Sequence, residues 1–391
     1  MRVLESRQIT VLTTNTCTAA CSHCCMNSGP ERKGRLTFAQ IRGWIDEIAS
    51  RTEIRTIIFA GGEPLLLGPD IFAAISHARS RRLSTRLVTN AYWALNDARA
   101  RDICQKLVDA GLDELNISID DFHLPYVDPL NVRRAFQAAR TMDFQSVVVV
   151  HCTGPTTTFN DEQLDALLGE QLPRLFDGER ERTLFDTPGR RPFVCISNTS
   201  LQAVGRASQC LSSSDIEMDE RWERRSREIG GCPWAVRSPA ITPDGHLVSC
   251  CGFEVRGNEV LDIGDLAGRS LTELLDQADG DLPLNWIALE GPYAIMDFLK
   301  SRDPALPFHQ RYGSYCELCQ HIVTDPAIRK ALFDNMDRRV FHILQRREDI
   351  KAALEQEAAV EDWLSEPATE LQPAGLVPER QTTVTGGHAH G

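Results

Sequence analysis

Cys17, Cys21 and Cys24 place three thiols in the eight-residue run Cys17-Thr18-Ala19-Ala20-Cys21-Ser22-His23-Cys24, directly after the strand-like Ile9-Thr10-Val11-Leu12-Thr13-Thr14. Spacing this close lets the sulfurs converge from one loop. Thiolates select soft metals, chiefly zinc, copper(I) or iron–sulfur clusters. A structural zinc site takes a fourth protein ligand at compatible spacing, and Cys25, adjacent to Cys24, is awkwardly placed to supply it. Three ligands point instead to a four-iron cluster with one iron left open for chemistry.

A second constellation follows in Gly61-Gly62-Glu63-Pro64, which ends the apolar run Ile57-Ile58-Phe59-Ala60. The spacing C-x-x-x-C-x-x-C with an aromatic residue, His23, before the last cysteine resembles the signature loop of the radical S-adenosylmethionine (radical SAM) superfamily. The GGEP segment matches that family's second motif. The resemblance implies that Cys17, Cys21 and Cys24 hold a [4Fe-4S] cluster whose open iron chelates S-adenosylmethionine. It also implies that Gly61, Gly62, Glu63 and Pro64 close the second barrel strand and contact the cofactor's methionine amino group. Reduction would cleave the cofactor to a 5′-deoxyadenosyl radical that abstracts hydrogen from a substrate.

The elements that must position these residues alternate strand and helix from residue 8 to about 200, which implies a parallel α/β architecture. Strands are expected at Ile57–Ala60, Arg86–Asn90, Leu115–Asp120, Val147–Val150 and Phe193–Ile196, the valine run suiting a strand covered on both faces. Helices are expected after the capping box Thr37-Phe38-Ala39-Gln40, after Gly68-Pro69-Asp70, from Asn96-Asp97 to a stop at Gly111, and after Asp128-Pro129. Six such units predict a partial (β/α)6 TIM-like barrel, the fold that the resemblance also implies. In βα barrels the chemistry gathers at the C-terminal strand ends. That rule singles out Thr89-Asn90, Ser118 to Asp121, His151-Cys152 and Ser197-Asn198, next to Cys195. Asn90 is taken as cofactor-binding, and Ser118 and Asp120 match the family's polar pair that contacts the cofactor's ribose. His151, Cys152 and Cys195 are the candidates for catalytic contact with substrate, against the plainer reading that they are packed strand residues.

A second cysteine set begins at Cys232-Pro233-Trp234, continues through Thr242-Pro243-Asp244-Gly245 to Cys250, and ends in Cys316-Glu317-Leu318-Cys319. Ile241–Val248 reads as a hairpin with Asp-Gly in its turn, which would bring Cys232 near Cys250. The C-x-x-C pair would add two ligands from a loop. By spacing alone, four thiolates suit zinc and a fully ligated four-iron cluster equally. The order Cys, x12, Gly, x4, Cys, then C-x-x-C resembles the auxiliary-cluster domains called SPASM and Twitch, and Ile263-Gly264-Asp265-Leu266 with Ser270–Leu275 resembles the segment between their ligands. No cysteine follows Cys319, so the resemblance is to the shorter Twitch form with one auxiliary [4Fe-4S] cluster. Cys25 and Cys251 are extra thiols beside ligands, without an assigned role.

The chain of 391 residues is expected to divide into a barrel at 1–205, a linker at 206–231, a Twitch/SPASM-like domain at 232–325, a helical region at 326–365 and a disordered tail at 366–391. The arginine-rich run Arg221 to Arg227 reads as a solvated helical face, and His388 and His390 as part of a loose tail. A net charge of −13 argues against broad nucleic-acid binding, which needs cationic surface. No apolar run of membrane-spanning length and no signal region are present. Thirteen clustered cysteines suit a reducing compartment, so a cytoplasmic protein is expected. The resemblance implies a substrate that is a ribosomally made peptide, modified by crosslinking, thioether formation or epimerisation. The alternative is a small molecule such as an aminoglycoside sugar or nucleoside. The expected partners are an electron donor such as flavodoxin or ferredoxin, and a separate leader-recognition protein, since only 16 residues precede Cys17.

Overall fold

The structure is a computed structural model and describes residues 3–51, 53–176, 192–212, 214–216, 223–224, 227–228 and 230–365. The tail from residue 366 and part of the Arg221 to Arg227 run lie outside the described residues.

Six strands form the body of the sheet: β1 (Gln8–Leu12), β2 (Thr56–Ala60), β3 (Ser84–Thr89), β4 (Glu114–Ser118), β5 (Ser146–Thr153) and β7 (Phe193–Ser200). All pair in parallel in that order. Ile9, Val11 and Leu12 of β1, Ile57 to Phe59 of β2 and Val147 to Val149 of β5 are buried, which is the near-continuous apolar reading of strands covered on both faces. Helices α1 (Phe38–Ala49), α2 (Pro69–Ser80), α3 (Asp97–Ala110), α4 (Pro129–Ala139) and α5 (Asp161–Leu168) follow successive strands. Their boundaries obey the expected chemistry. Thr37 and Gln40 form the reciprocal capping box of α1, which buries Ile41, Trp44, Ile45 and Ile48. Asn96 caps α3, and Gly111 ends it in the left-handed region at φ 88°, where a Cβ would be strained.

One strand was not expected. β6 (Arg174–Phe176) adds a parallel edge against Ile196–Asn198 of β7, in the interval between the strands expected at Val147–Val150 and Phe193–Ile196. Three residues after Pro173 are too few to show an alternating pattern.

The chain from residue 232 onward does not begin with a free-standing sheet. β8 (Ala240–Ile241), β9 (His246–Val248) and β10 (Asp262–Asp265) continue the barrel sheet, with β8 parallel to β1 and β9 and β10 antiparallel beyond it. The expected hairpin is present, its turn closed by Gly245 N–H donating to Thr242 C=O at 2.9 Å. The long interval between the second and third cysteines of this set is filled by α7 (Leu271–Gly280), α8 (Leu282–Leu289) and α9 (Gly291–Arg302). Leu271 N–H donates to the Glu47 carboxylate of α1 at 2.7 Å, so α7 docks on the barrel. Then come α10 (Tyr315–Thr324), α11 (Pro326–Asp334) and α12 (Met336–Ser365); a short helix, α6 (Ala207–Cys210), precedes β8. Met1–Arg347 forms one compact unit and Glu348–Gly391 a second. Among the described residues no helix is long and apolar enough to cross a membrane.

Candidate active site

The first cysteine loop leaves the C-terminal end of β1 and is stitched to the end of β2. Thr13 N–H donates to Ala60 C=O at 2.8 Å, Gly62 N–H to Thr14 C=O at 2.6 Å, and Glu63 N–H to Thr16 C=O at 3.0 Å. This close approach explains the double glycine. Gly61 stands at φ +123°, and a Cβ on Gly62 would overlap the Thr16 carbonyl. Beyond the stitch, Cys17 N–H donates to Gly29 C=O at 3.2 Å and Cys24 N–H to Cys21 C=O at 3.1 Å. The sulfurs already accept hydrogen bonds, Cys17 from Ala19 N–H at 3.5 Å and Cys24 from Ser28 N–H at 3.3 Å.

Glu63 is fully buried beside this loop. Its carboxylate accepts from Leu65 N–H at 3.1 Å, Asn90 N–H at 2.9 Å and the Thr89 hydroxyl at 2.9 and 3.0 Å. These direct donors are all neutral. Burial consequently pushes the carboxyl up to about 7 despite the hydrogen bonds that oppose it. A buried carboxylate without a bonded cation is a place for one. Asn90 closes β3 and reaches the cysteine loop, donating to the Thr18 hydroxyl at 3.0 Å and to the Cys17 sulfur at 3.6 Å.

Beyond β4, Ser118 is the strand's last residue, and Asp120 is only 1% exposed. Asp120 is held between two histidines: its Oδ1 lies 2.8 Å from His123 Nδ1 and its Oδ2 3.3 Å from His23 Nε2. Burial works against its ionisation, but His123's charge and hydrogen bond outweigh it and hold Asp120 well below the usual carboxylate range. Burial also opposes charging His123. Asp120, followed by the Cys21 thiol, nevertheless raises that imidazole to about 10. His23 stacks on Phe122 at 4.7 Å between ring centroids. The sequence reading missed His123. Its three-residue spacing from Asp120 is the one signal that could have found it.

His151, Cys152 and Cys195 are buried. His151 Nε2 lies 3.0 Å from Phe159 C=O, and its Nδ1 3.5 Å from the Asp161 carboxylate at the start of α5. Cys152 packs among Leu201 and Ile216, with Phe122 beside them, and burial pushes the Cys195 thiol up to about 12. All three are enclosed in packing rather than set at an opening.

The second cysteine set converges as the hairpin reading requires, with one difference. Cys316 and Cys319 stand on α10 rather than in a loop, in the turns after its cap, where Ser314 accepts from Glu317 N–H at 3.1 Å. Gly252 leaves room beside them; a Cβ there would sit 3.3 Å from the Cys316 sulfur and 3.9 Å from that of Cys250. Burial pushes Cys250 up to about 12 and Cys316 and Cys319 well above the usual thiol value, with the neighbouring cysteines adding to it. Cys17 is raised to about 12 by the same cause. Buried thiols of this kind become thiolates when a metal supplies the countercharge.

Among the described residues, the one trio of His, Cys, Asp or Glu ligand atoms mutually within 4.8 Å is His23, Asp120 and His123. By donor chemistry the clustered, buried thiols of both sets suit a soft metal, zinc or an iron–sulfur cluster alike.

Residues 11–168 match the Radical SAM superfamily. A probable GTP 3′,8-cyclase from Methanocaldococcus jannaschii is 27% identical over 116 residues, 30% of this chain and 37% of that protein. The mycofactocin maturase MftC of Mycobacterium ulcerans is 28% identical over 110 residues, 28% of this chain and 29% of its own. The chain thus spans well under half the length of these curated relatives. Among solved structures, native anSMEcpe with bound AdoMet and Cp18Cys peptide covers 88% of this chain and 99% of its own, at 12% identity and a TM-score of 0.49.

Proposed function

We propose that this chain, whose residues 11–168 match the Radical SAM superfamily, reductively cleaves S-adenosylmethionine and abstracts hydrogen from a peptide. Cys17, Cys21 and Cys24 hold the first cluster, and Cys232, Cys250, Cys316 and Cys319 an auxiliary one. When bound, the first cluster and its cofactor supply one-electron cleavage to a 5′-deoxyadenosyl radical. The observation that carries this reading is the buried Glu63 carboxylate, held by neutral donors at the strand end that the cysteine loop is stitched to. In that position it binds the cofactor's ammonium group, and Asn90 orients the loop above it. Gly61 and Gly62 let the two backbones meet, with Pro64 opening the turn that follows, and Ser118 and Asp120 would contact the cofactor's ribose. The domain reading keeps the barrel at 1–205 and the auxiliary segment at 232–325.

The peptide reading rests on what SPASM- and Twitch-type enzymes mostly modify. A flavodoxin- or ferredoxin-type protein supplies the electron. A small-molecule substrate is the second reading, favoured by the partial match to a GTP 3′,8-cyclase. Anaerobically reconstituted protein, reduced in the presence of S-adenosylmethionine, is expected to release 5′-deoxyadenosine and methionine. Absence of both products from iron-replete protein refutes the proposal. Mass spectrometry, in deuterated buffer, of a peptide encoded beside the gene then separates the two substrates: a mass change with cofactor consumption, the one-deuterium gain of an epimerisation included, supports the peptide, and cleavage without change supports the small molecule.

A further inference from the structure

Five backbone carbonyls in the second half of the first cysteine loop are held from outside the loop. The Tyr126 hydroxyl donates to Ala20 C=O at 3.0 Å. Arg206 Nη1 donates to Cys21 C=O at 2.8 Å, its Nη2 to Ser28 C=O, its Nε to the Asn27 amide oxygen at 3.1 Å, and its own backbone N–H to Cys24 C=O at 3.0 Å. Glu254 N–H donates to Cys25 C=O at 3.1 Å. One arginine thus supplies three of the five contacts, and its planar fork reaches both ends of the turn that carries Cys24. Gly205 makes the approach possible. It stands at φ +57°, where a Cβ would overlap the Cys25 carbonyl. Gly205 N–H in turn donates at 3.0 Å to the side-chain amide oxygen of Gln320, the residue after Cys319 on α10.

We infer that Arg206 is the positioning residue of the first cluster loop, and that Gly205 and Gln320 tie its placement to the helix carrying Cys316 and Cys319. The chain between β7 and the second cysteine set is therefore not a passive connection. It makes the shape of the first loop depend on the order of α10. This inference rests on the proposed reading of the two cysteine sets.

The test uses full-length Arg206→Ala, Arg206→Lys and Gln320→Ala proteins, reconstituted anaerobically. Iron is followed during challenge with a ferrous chelator, and the reduced clusters are followed by electron paramagnetic resonance with and without S-adenosylmethionine. Added cofactor perturbs only a cluster with an open iron, so the two sets are read separately. Arg206→Ala is expected to lose first-set iron about 10–100-fold faster, the range for residues that hold metal ligands in place, with the second set retained. Arg206→Lys is expected not to rescue, because an ammonium is a point donor. Gln320→Ala, which keeps every cysteine, is expected to broaden the cofactor-sensitive signal and speed first-set loss by a smaller factor. Circular dichroism checks folding. If Arg206→Ala does not fold, the lysine and Gln320 variants decide. First-set iron released at the parent rate from the folded arginine variants overturns the inference. A parent protein with iron but no cofactor-sensitive signal removes its premise, an outcome told apart because it is seen before any substitution.

Discussion

Glu63→Gln tests the site most directly. In the ligand-free protein burial raises the Glu63 carboxyl from its ordinary 4.5 to about 7, a difference worth about 3 kcal/mol. A carboxyl whose folded value is raised favours folding in its protonated form. That contribution is whole below about 4.5 and is lost as pH climbs through about 7. A cation bound at Glu63 reverses the balance, because only the ionised carboxylate can hold it, and binding must expel a proton whenever Glu63 starts protonated. Affinity for S-adenosylmethionine is therefore expected to fall about 20-fold from pH 7.5 to 5.5, with proton release approaching one per cofactor at the lower pH. The glutamine side chain has the same shape but no charge, and its NH2 group faces either Leu65 N–H or Asn90 N–H. Loss of the charge-assisted contact costs about 1.5–3 kcal/mol, or about 10- to 100-fold in affinity at pH 7.5, and removes the pH dependence. Calorimetry of reconstituted protein in buffers of different ionisation enthalpy measures both affinity and protons. A parent affinity that is flat across this range, or a glutamine variant that binds like the parent, refutes the reasoning.

Replacing Cys17, Cys21 and Cys24 together with alanine should remove about half of the roughly eight irons expected for two four-iron clusters and abolish 5′-deoxyadenosine formation; cleavage that persists contradicts the ligand assignment. The Cys316→Ala, Cys319→Ala protein should keep cofactor-sensitive iron and slow cleavage while losing the second set, whereas finding one zinc and about four irons in the parent would make the second set a zinc site. Asp120→Asn should release both histidines, so the His123 imidazole, raised to about 10 by that carboxylate, should titrate nearer its ordinary value by NMR; an unmoved titration excludes the pairing. Gly62→Ala should destabilise the protein by about 1–3 kcal/mol as an overpacking change, read as a lowered thermal midpoint, because its Cβ meets the Thr16 backbone rather than a side chain that can yield.

What the sequence determined by itself is whatever depends on residues near one another along the chain. Three cysteines in one loop, the Gly61-Gly62-Glu63 strand end, the Thr37 and Asn96 caps and the Gly111 stop each carry their physical reason within a few positions, and the structure forms them where the pattern places them. The apolar runs of β2 and β5 likewise declare strands covered on both faces. What only the tertiary structure decided depends on partners far apart in sequence. Whether Glu63 is bonded to a cation or to neutral donors could not be read from GGEP, because its partners Thr89 and Asn90 come from the next strand. Asp120 meets His23 across almost a hundred residues. The hairpin at 240–248 extends the barrel sheet beside β1, since an edge strand takes whatever partner is free, a choice that leaves no periodic mark. Arg206 is the clearest case: one arginine in a charged stretch looks like solvated surface until the fold sets its guanidinium against the carbonyls of Cys21 and Ser28. Hydrogen bonds to backbone carbonyls select a donor and its position, not a neighbouring sequence, so nothing around residue 206 had to announce them.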